Sequence, residues 1–403
     1  MLDPEHKFQR FHVILNNAVR AFRARLPAAI KPRSLFTETR ERRKALSTPT
    51  VRTETVQKNQ HPARPDSWPW PPAQDNATLL PADGAAFSDL LAKVAASGYR
   101  FTTPTPATHQ RYLNNRGQNA ATSLRDIFGW NLPFDANMVS PALYEAMHGA
   151  GVLDAGDSRG LLRSSVRIAS LDGMLLLHSA FPTTQADAVF FGPDTYRFAR
   201  FIDQALQQTG AMTCTPRILD VGCGSGAGGL FAARALHRRH PQMQKIDVVM
   251  NDINSQALRF TAINAAHAGI AVTLAPGDAL AATTGQFDLI ISNPPYMQDA
   301  EKRAYRDGGE GLGRALSVRI AEQALQRLTP GGVLLLYTGV AMTAAQDPFL
   351  ATLQPLLKAS GCHWSYAEID PDVFGEELER PDYAQVERIA AVGLVASRAL
   401  ACN

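Results

Sequence analysis

The sequence predicts an α/β fold: a doubly wound, mostly parallel sheet with a C-terminal antiparallel strand, preceded by a smaller α+β domain. Three observations carry that expectation. From Arg217 onward, short apolar β-branched runs alternate with helix-period segments, the pattern of a parallel sheet covered by helices on both faces. The first strand-like run, "RILDVG", leads straight into the glycine-rich "CGSGAGG". The run "FDLIIS" then stops at Asn293-Pro294-Pro295-Tyr296, where each proline removes a backbone donor and fixes φ, which a strand interior does not tolerate.

The chain has 403 residues, 45% of them hydrophobic and 19% charged, which suits a globular protein long enough for two cores. It has no run of about 18 apolar residues and no compact apolar N-terminal block, so neither a membrane span nor a secretory signal is expected. The four cysteines, Cys214, Cys223, Cys362 and Cys402, show no CxxC or Cys/His spacing. Reduced thiols in a cytoplasmic protein, with no metal site, are the expectation. Residues 1–66 hold 14 Lys and Arg against 6 Asp and Glu, whereas the whole chain carries only +3. The positive charge therefore sits in the leader, and the body is not built chiefly to hold phosphates.

Three segments follow from this. Residues 1–66 read as a basic, flexible leader and linker. Within them 8–26 set Phe11, Leu15, Val19, Phe22 and Leu26 at helical spacing among arginines, and a stretch with five prolines in 61–74 follows. Residues 67–185 read as a helical and hairpin domain for accessory or substrate contact. Helices are expected in "AFSDLLAKVAASGY", "TSLRDIFGW" and "SPALYEAMHGAG", the last opened by Ser140 and Pro141. Two strand runs around Asp172-Gly173 then form a hairpin, and the order suggests a winged-helix-like unit. Residues 186–403 carry the sheet. Its strands are "RILDVG", "KIDVVMND", "AVTLAPGD", "FDLIISNPP", "GGVLLLYTG", "HWSYAEID" and "RIAAVGLVASR". Between them, "GLGRALSVRIAEQALQRL" puts Leu312, Leu316, Ile320, Ala324 and Leu328 on one helical stripe.

Gly222, Gly224 and Gly226 follow a strand and open a helix, where glycine allows a sharp turn and a close ligand. Gly224, Gly226 and Gly229 also satisfy the dinucleotide pattern GxGxxG, so a nicotinamide cofactor is an alternative. The acids decide between them. Asp220 precedes the glycines and suits an ammonium group; Asp252 ends the next strand and can accept from two ribose hydroxyls; Asp278 follows the third and can accept from an adenine amino group. Three carboxylates at successive strand ends suit a nucleoside with a cationic amino-acid tail better than a pyrophosphate.

The two prolines fit a second requirement. A planar amide or exocyclic amine is a weak nucleophile, because its lone pair is delocalised. A site that alkylates it should hold the NH2 by its hydrogens and aim the nitrogen at the electrophile. Asn293 offers a side-chain oxygen, Pro294 a carbonyl, Pro295 rigidity without a competing donor, and Tyr296 a flat face. Positioning then does most of the work.

"LDVGCGSG", "NDIN", "GD" and "NPPY", in this order, resemble the class I S-adenosylmethionine-dependent methyltransferases that modify planar nitrogen, and among them the small-domain, HemK-like group of release-factor glutamine N5-methyltransferases. The resemblance runs from about Val189 to the C-terminus. It implies a Rossmann-like domain that binds S-adenosylmethionine through Asp220, Gly222, Gly224, Gly226, Asp252, Ile253, Asp278, Ala279 and Asn293. "GPDTY" is similar to a "P-x-x-D-T" segment of archaeal and eukaryotic relatives, which implies that Asp194 and Thr195 lie near the cofactor's methionine end or the substrate. "RDGGEGLGRAL" is similar to a segment that follows NPPY in the same group.

The expected activity is methyl transfer to a planar amide or amino nitrogen. A protein glutamine, possibly on a translation factor, is the favoured acceptor over nucleic acid. An adenine or guanine amino group in RNA or DNA and a small molecule are the alternatives; a membrane partner is not expected. The segment "PDVFGEELERPDYAQVE", between the last two strands, lies on the expected substrate side.

Overall fold

The computed structural model describes residues 83–400 apart from 118, 210–212, 214, 244 and 345. The helix expected at 8–26, the proline-rich stretch and the boundary at residue 66 lie outside the described residues.

The described chain opens with α1 (Gly84–Ala96), α2 (Pro106–Arg116) and α3 (Pro141–Gly149). Helix α1 buries Phe87, Leu90, Leu91 and Val94, one face at helical spacing. Ser140 caps α3 by accepting the Leu143 N–H at 3.3 Å. Helix α2 has no apolar stripe to announce it; its signal is the cap, where Thr105 accepts the Thr108 N–H at 3.1 Å and Pro106 takes the first position. The helix expected at 122–130 is only a five-residue π-turn, Arg125–Gly129. Its start is diverted by local side chains: the Asp126 carboxylate accepts from the Thr122 N–H at 3.0 Å, the Thr122 hydroxyl at 2.9 Å and the Ser123 hydroxyl at 3.1 Å.

Strands β1 (Leu153–Ala155) and β2 (Leu162–Ser164) pair antiparallel, and β3 (Val166–Leu171) and β4 (Met174–Ser179) form the expected hairpin. Its tip holds Asp172 at φ +50° and Gly173 at φ +77°, the paired positive angles that match a two-residue turn to strand twist.

After α4 (Pro193–Gln208) come β5 (Arg217–Val221), α5 (Ala227–Arg239), β6 (Asp247–Asp252), α6 (Ser255–Ala268), β7 (Thr273–Pro276), β8 (Phe287–Ser292), α7 (Ala315–Gln326), β9 (Leu328–Met342), α8 (Pro348–Ser360), β10 (His363–Asp370) and β11 (Arg388–Ser397). The seven strands run in the order β10-β11-β9-β8-β5-β6-β7. Strands β7, β6, β5, β8 and β9 are parallel, and β11 is antiparallel to both of its neighbours. The strand order reverses between β5 and β8, so a crevice opens beyond their carboxyl ends. Helix α8, which carries Pro355, is not among the expected elements, although Phe349, Leu353 and Leu357 recur at helical spacing and are buried. Helix α7 starts later than its stripe suggests, because Gly311 and Gly313 have φ of +66° and +88°.

The front helices and hairpin share a core with the sheet domain: Phe87, Leu91, Ile168 and Leu175 belong to one buried cluster with Ala257, Phe260 and Ile263 of α6. A polar bolt runs through this contact. The fully buried Asn264 amide donates to the carbonyls of Leu177 at 3.1 Å and Ser225 at 2.9 Å, and its oxygen accepts the Leu177 N–H at 2.8 Å. It thereby joins the hairpin, α6 and the glycine-rich turn. Asn264→Leu leaves those backbone groups buried and unpaired and should lower stability by about 3 kcal/mol. Urea denaturation checks this, and a loss below about 1 kcal/mol would show that the amide is not a bolt.

Candidate active site

A cavity of about 420 Å³ lies at the carboxyl ends of β5, β6 and β8. The structure brings the expected residues Asp194, Thr195, Asp220, Gly222, Gly224, Asp252, Ile253, Asp278, Ala279 and Asn293 through Tyr296 to its lining. Gly226 stands just outside the lining, at φ +78°, where it begins α5.

One side of the cavity is shaped by the turn after β5. Gly222 and Gly224 sit at φ +68° and +56°, and a Cβ on either would meet no protein atom within 4 Å. Open space thus lies against bare backbone. Asp252 is held from behind: one carboxylate oxygen accepts the Gly224 N–H at 2.8 Å and the other the Asn254 N–H at 2.9 Å. Next to it Ile253 is 66% exposed, an unusual state for a large apolar side chain and one that suits a flat apolar ring. Gly229, the third glycine of the dinucleotide pattern, instead packs inside α5, where a Cβ would stand 2.6 Å from Met250.

Asp220 is buried and accepts the Gly229 N–H at 2.7 Å. Burial pushes its carboxyl up to about 7, with the nearby Asp252 carboxylate adding to the rise. A buried acid beside open space, awaiting a positive partner, fits the ammonium end of S-adenosylmethionine; the open glycine backbone, Asp252 and Ile253 fit its nucleoside.

Asp278 borders the cavity, and each of its carboxylate oxygens accepts one hydrogen bond from Arg319 of α7, at 2.6 and 2.7 Å. Asp278 keeps a further lone pair on each oxygen for a second donor. Its neighbour Ala279 is 8% exposed and takes φ +47°, a strained angle for alanine at the edge of a ligand cavity. Asn251, which is not among the residues expected to hold the cofactor, also lines the cavity. Its amide nitrogen is fixed by the carbonyls of Ala275 at 2.8 Å and Gly277 at 2.9 Å, which leaves a buried side-chain oxygen without a protein partner in the cavity lining.

On the opposite side of the cavity, NPPY ends the central strand β8, between β5 and β9, rather than an edge. The Asn293 side chain makes no hydrogen bond with any described residue, and no described backbone N–H donates to the Pro294 carbonyl. Two acceptors are thus left free at the same point. Tyr296 is only 8% exposed and donates its hydroxyl to Asp194. The same buried carboxylate accepts from Tyr337 of β9 at 2.8 Å and from Arg197 at 3.0 Å, and Arg197 reaches Asp370 of β10 at 2.8 Å. Asp194 therefore positions Tyr296. Thr195 is spent on the helix start, its hydroxyl accepting the Gly192 N–H at 3.4 Å.

The "RDGGEGLG" segment underlies NPPY. A Cβ on Gly308 would stand 2.7 Å from the Pro295 carbonyl oxygen, and one on Gly313 would stand 2.2 Å from that of Tyr296. On the other side, a Cβ on Gly339 of β9 would meet the Tyr296 ring at 2.2 Å. Glycines far apart in sequence let the loop and ring sit this close. The front domain also reaches the cavity, through Pro106, Phe181, Pro182 and Thr183, and the Thr183 carbonyl accepts the Tyr305 hydroxyl. Among the described residues no cluster of His, Cys, Asp and Glu could hold a metal ion, and no helix is long and apolar enough to cross a membrane.

Fold and cavity together fit one class, the S-adenosylmethionine-dependent methyltransferase domain with a Rossmann-like sheet. Residues 198–346 match the family "Methyltransferase small domain". The chain is 35% identical over 175 residues to a release factor glutamine methyltransferase of Deinococcus radiodurans, covering 40% of this chain and 56% of that protein. It is 32% identical over 147 residues to a ribosomal RNA small subunit methyltransferase C of Actinobacillus pleuropneumoniae, covering 36% of this chain and 37% of that protein. The chain thus spans about half, or less, of the length of these relatives. Among solved structures, wild-type Trm5b from Pyrococcus abyssi aligns with 60% of this chain and 59% of its own at 16% identity, with a TM-score of 0.40, which adds nothing to the strand order.

The raised Asp220 carboxyl sets a pH dependence. Below about 7 the acid is protonated and neutral; above, it is a carboxylate that attracts an ammonium group. Affinity for S-adenosylmethionine should rise as pH increases from 6 to 8, by up to about tenfold per unit. In Asp220→Asn the profile should flatten at the weaker value. Calorimetry across this range checks it, and an unchanged profile in the variant would remove Asp220 from the ammonium site.

Proposed function

We infer that the protein is an S-adenosylmethionine-dependent N-methyltransferase acting on a planar NH2, and that its acceptor is a glutamine side chain of a protein of the release-factor type. The observation that carries this is the unpartnered Asn293 amide at the end of a central strand, beside the free Pro294 carbonyl. Bound S-adenosylmethionine supplies an electrophilic methyl group on a sulfonium, whose departure leaves a neutral thioether. The chain's part is to hold. The Asn293 side-chain oxygen and the Pro294 carbonyl accept the two N–H bonds of the acceptor, and Tyr296, fixed by Asp194, keeps the planar group flat. With its hydrogens so held, the nitrogen presents its lone pair to the methyl carbon, and its excess proton passes to solvent after transfer. No strong base is needed.

Charge favours a polypeptide over a nucleic acid. The lining includes four carboxylates; Asp194 and Asp278 are paired with Arg197 and Arg319, and Asp220 and Asp252 have no cationic partner among the described residues. Its two guanidiniums, Arg303 and Arg306, are already paired with Asp299 and Glu377. Between Pro371 and Glu387, next to the cavity, six residues are acidic and one is basic. A phosphate backbone would find repulsion here instead of the cations that dominate nucleic-acid binding.

The test is transfer of labelled methyl from S-adenosylmethionine to a purified bacterial release factor and, separately, to small-subunit ribosomal RNA. Label on a release-factor glutamine is the expected result; label on RNA alone would replace this acceptor with a base amino group. Asn293→Ala should lower kcat by roughly 100-fold or more while cofactor affinity stays within about threefold of the original. Near-normal turnover in that variant would sink the assignment of Asn293.

A further inference from the structure

The connection between β10 and β11 touches the loop that follows NPPY at several points. Gln298, two residues beyond Tyr296, has both backbone groups satisfied by side chains of this connection. Its N–H donates to the Tyr383 hydroxyl at 3.0 Å, and its carbonyl accepts from Arg380 at 2.7 Å. Those side chains are themselves fixed. Glu377 is 5% exposed and is held between Arg380, at 3.0 Å, and Arg306 of the loop. Tyr383 is 1% exposed, so its hydroxyl is delivered from a packed ring. A buried carboxylate bridging two guanidiniums is stable only with such satisfied geometry.

The same connection projects Phe374 to the cavity. Its ring meets the Tyr296 ring edge to face, with centroids 6.0 Å apart and planes at 70°. Phe374 has φ +53°, a conformation that costs a bulky residue on the order of 1–3 kcal/mol and persists where the surroundings impose it. Strain at a cavity-lining aromatic, fastened by a buried ion triad a few residues away, is arranged as a device and not as a relaxed loop.

We propose that residues 371–387 form an acceptor-positioning clasp, which locks Gln298 by both backbone groups and sets Phe374 beside Tyr296 as a wall of the slot that receives the planar NH2 group. The clasp rests on the N-methyltransferase reading above for the identity of the slot, but its mechanical part does not. Glu377, Arg380 and Tyr383 are positioning residues, and Phe374 determines which flat groups fit.

Two measurements on the full chain decide it. Amide hydrogen exchange, which needs no acceptor, should show Gln298 protected in the unaltered protein. Tyr383→Phe, which keeps the packed ring and removes only the accepting hydroxyl, should speed that exchange by about tenfold or more and leave Ile290 of β8 unchanged. Equal Gln298 exchange in the two proteins would overturn the clasp. For the wall, Phe374→Ala should raise KM for the release factor by about tenfold, with calorimetric affinity for S-adenosylmethionine unaltered and with Phe374→Tyr restoring most of the loss. Unchanged KM and kcat in Phe374→Ala would overturn the wall. If the unaltered protein methylates ribosomal RNA and not the release factor, the proposed acceptor is wrong, and the same comparison made on RNA decides the wall. If it methylates neither, the slot assignment falls with the reading beneath it, and exchange at Gln298 still decides the clasp.

Discussion

The carboxylate of Asp194 is the constraint around which the NPPY side of the cavity is assembled. It lies at the first turn of α4, 5% exposed, and gathers the hydroxyls of Tyr296 and Tyr337 with the guanidinium of Arg197. An unpaired charge buried to this degree would cost several kcal/mol, so the three donors are obligatory partners. Each comes from a different place: the end of β8, the middle of β9 and the same helix. Through Arg197 the link continues to Asp370 at the end of β10. One carboxylate thereby fixes where a helix, two strands and the NPPY tyrosine stand.

Backbone proximity is the second requirement. A loop that presents main-chain carbonyls to a ligand must be supported by something thinner than a side chain. Gly308 and Gly313 provide this beneath Pro295 and Tyr296, and Gly339 provides it beneath the Tyr296 ring. At the glycine-rich turn the arrangement is inverted: Gly222 and Gly224 leave open space, and both line the cavity. The same residue type serves close packing on one side of the crevice and ligand access on the other. The difference lies in what each glycine faces.

The front domain contributes through contact. It shares a buried cluster with α6, is bolted to it by Asn264, and lends Pro106, Phe181, Pro182 and Thr183 to the cavity wall. Movement of the hairpin would therefore be felt at the glycine-rich turn, since Asn264 bonds to Leu177 and Ser225 together. Asp220 and Asp252 line the cavity with no cationic partner among the described residues, while Arg303 and Arg306 are paired with Asp299 and Glu377.

Local pattern alone determined the alternation of β5 through β11 with their helices, the hairpin at Asp172-Gly173, the glycine-rich turn and the proline stop after β8, because each depends on neighbours in the chain. Apolar period announces α1 and α3, whereas α2, α4 and α8 are not among the expected helices. Helix α2 declares itself through a cap, whereas α8 does carry a stripe, Phe349, Leu353 and Leu357, that Pro355 does not break. Tertiary structure alone decided the partners. Nothing near Asp278 in sequence reveals that Arg319 holds both of its oxygens, and nothing near Asp194 announces Tyr296 or Tyr337. Likewise the carbonyl of Gln298 meets Arg380 only because β11 runs back antiparallel beside β9, which carries the connection after β10 across to the NPPY loop. Periodicity reports which face of an element is buried; which charge, ring or carbonyl it meets there is set by chain topology, and local pattern does not encode it.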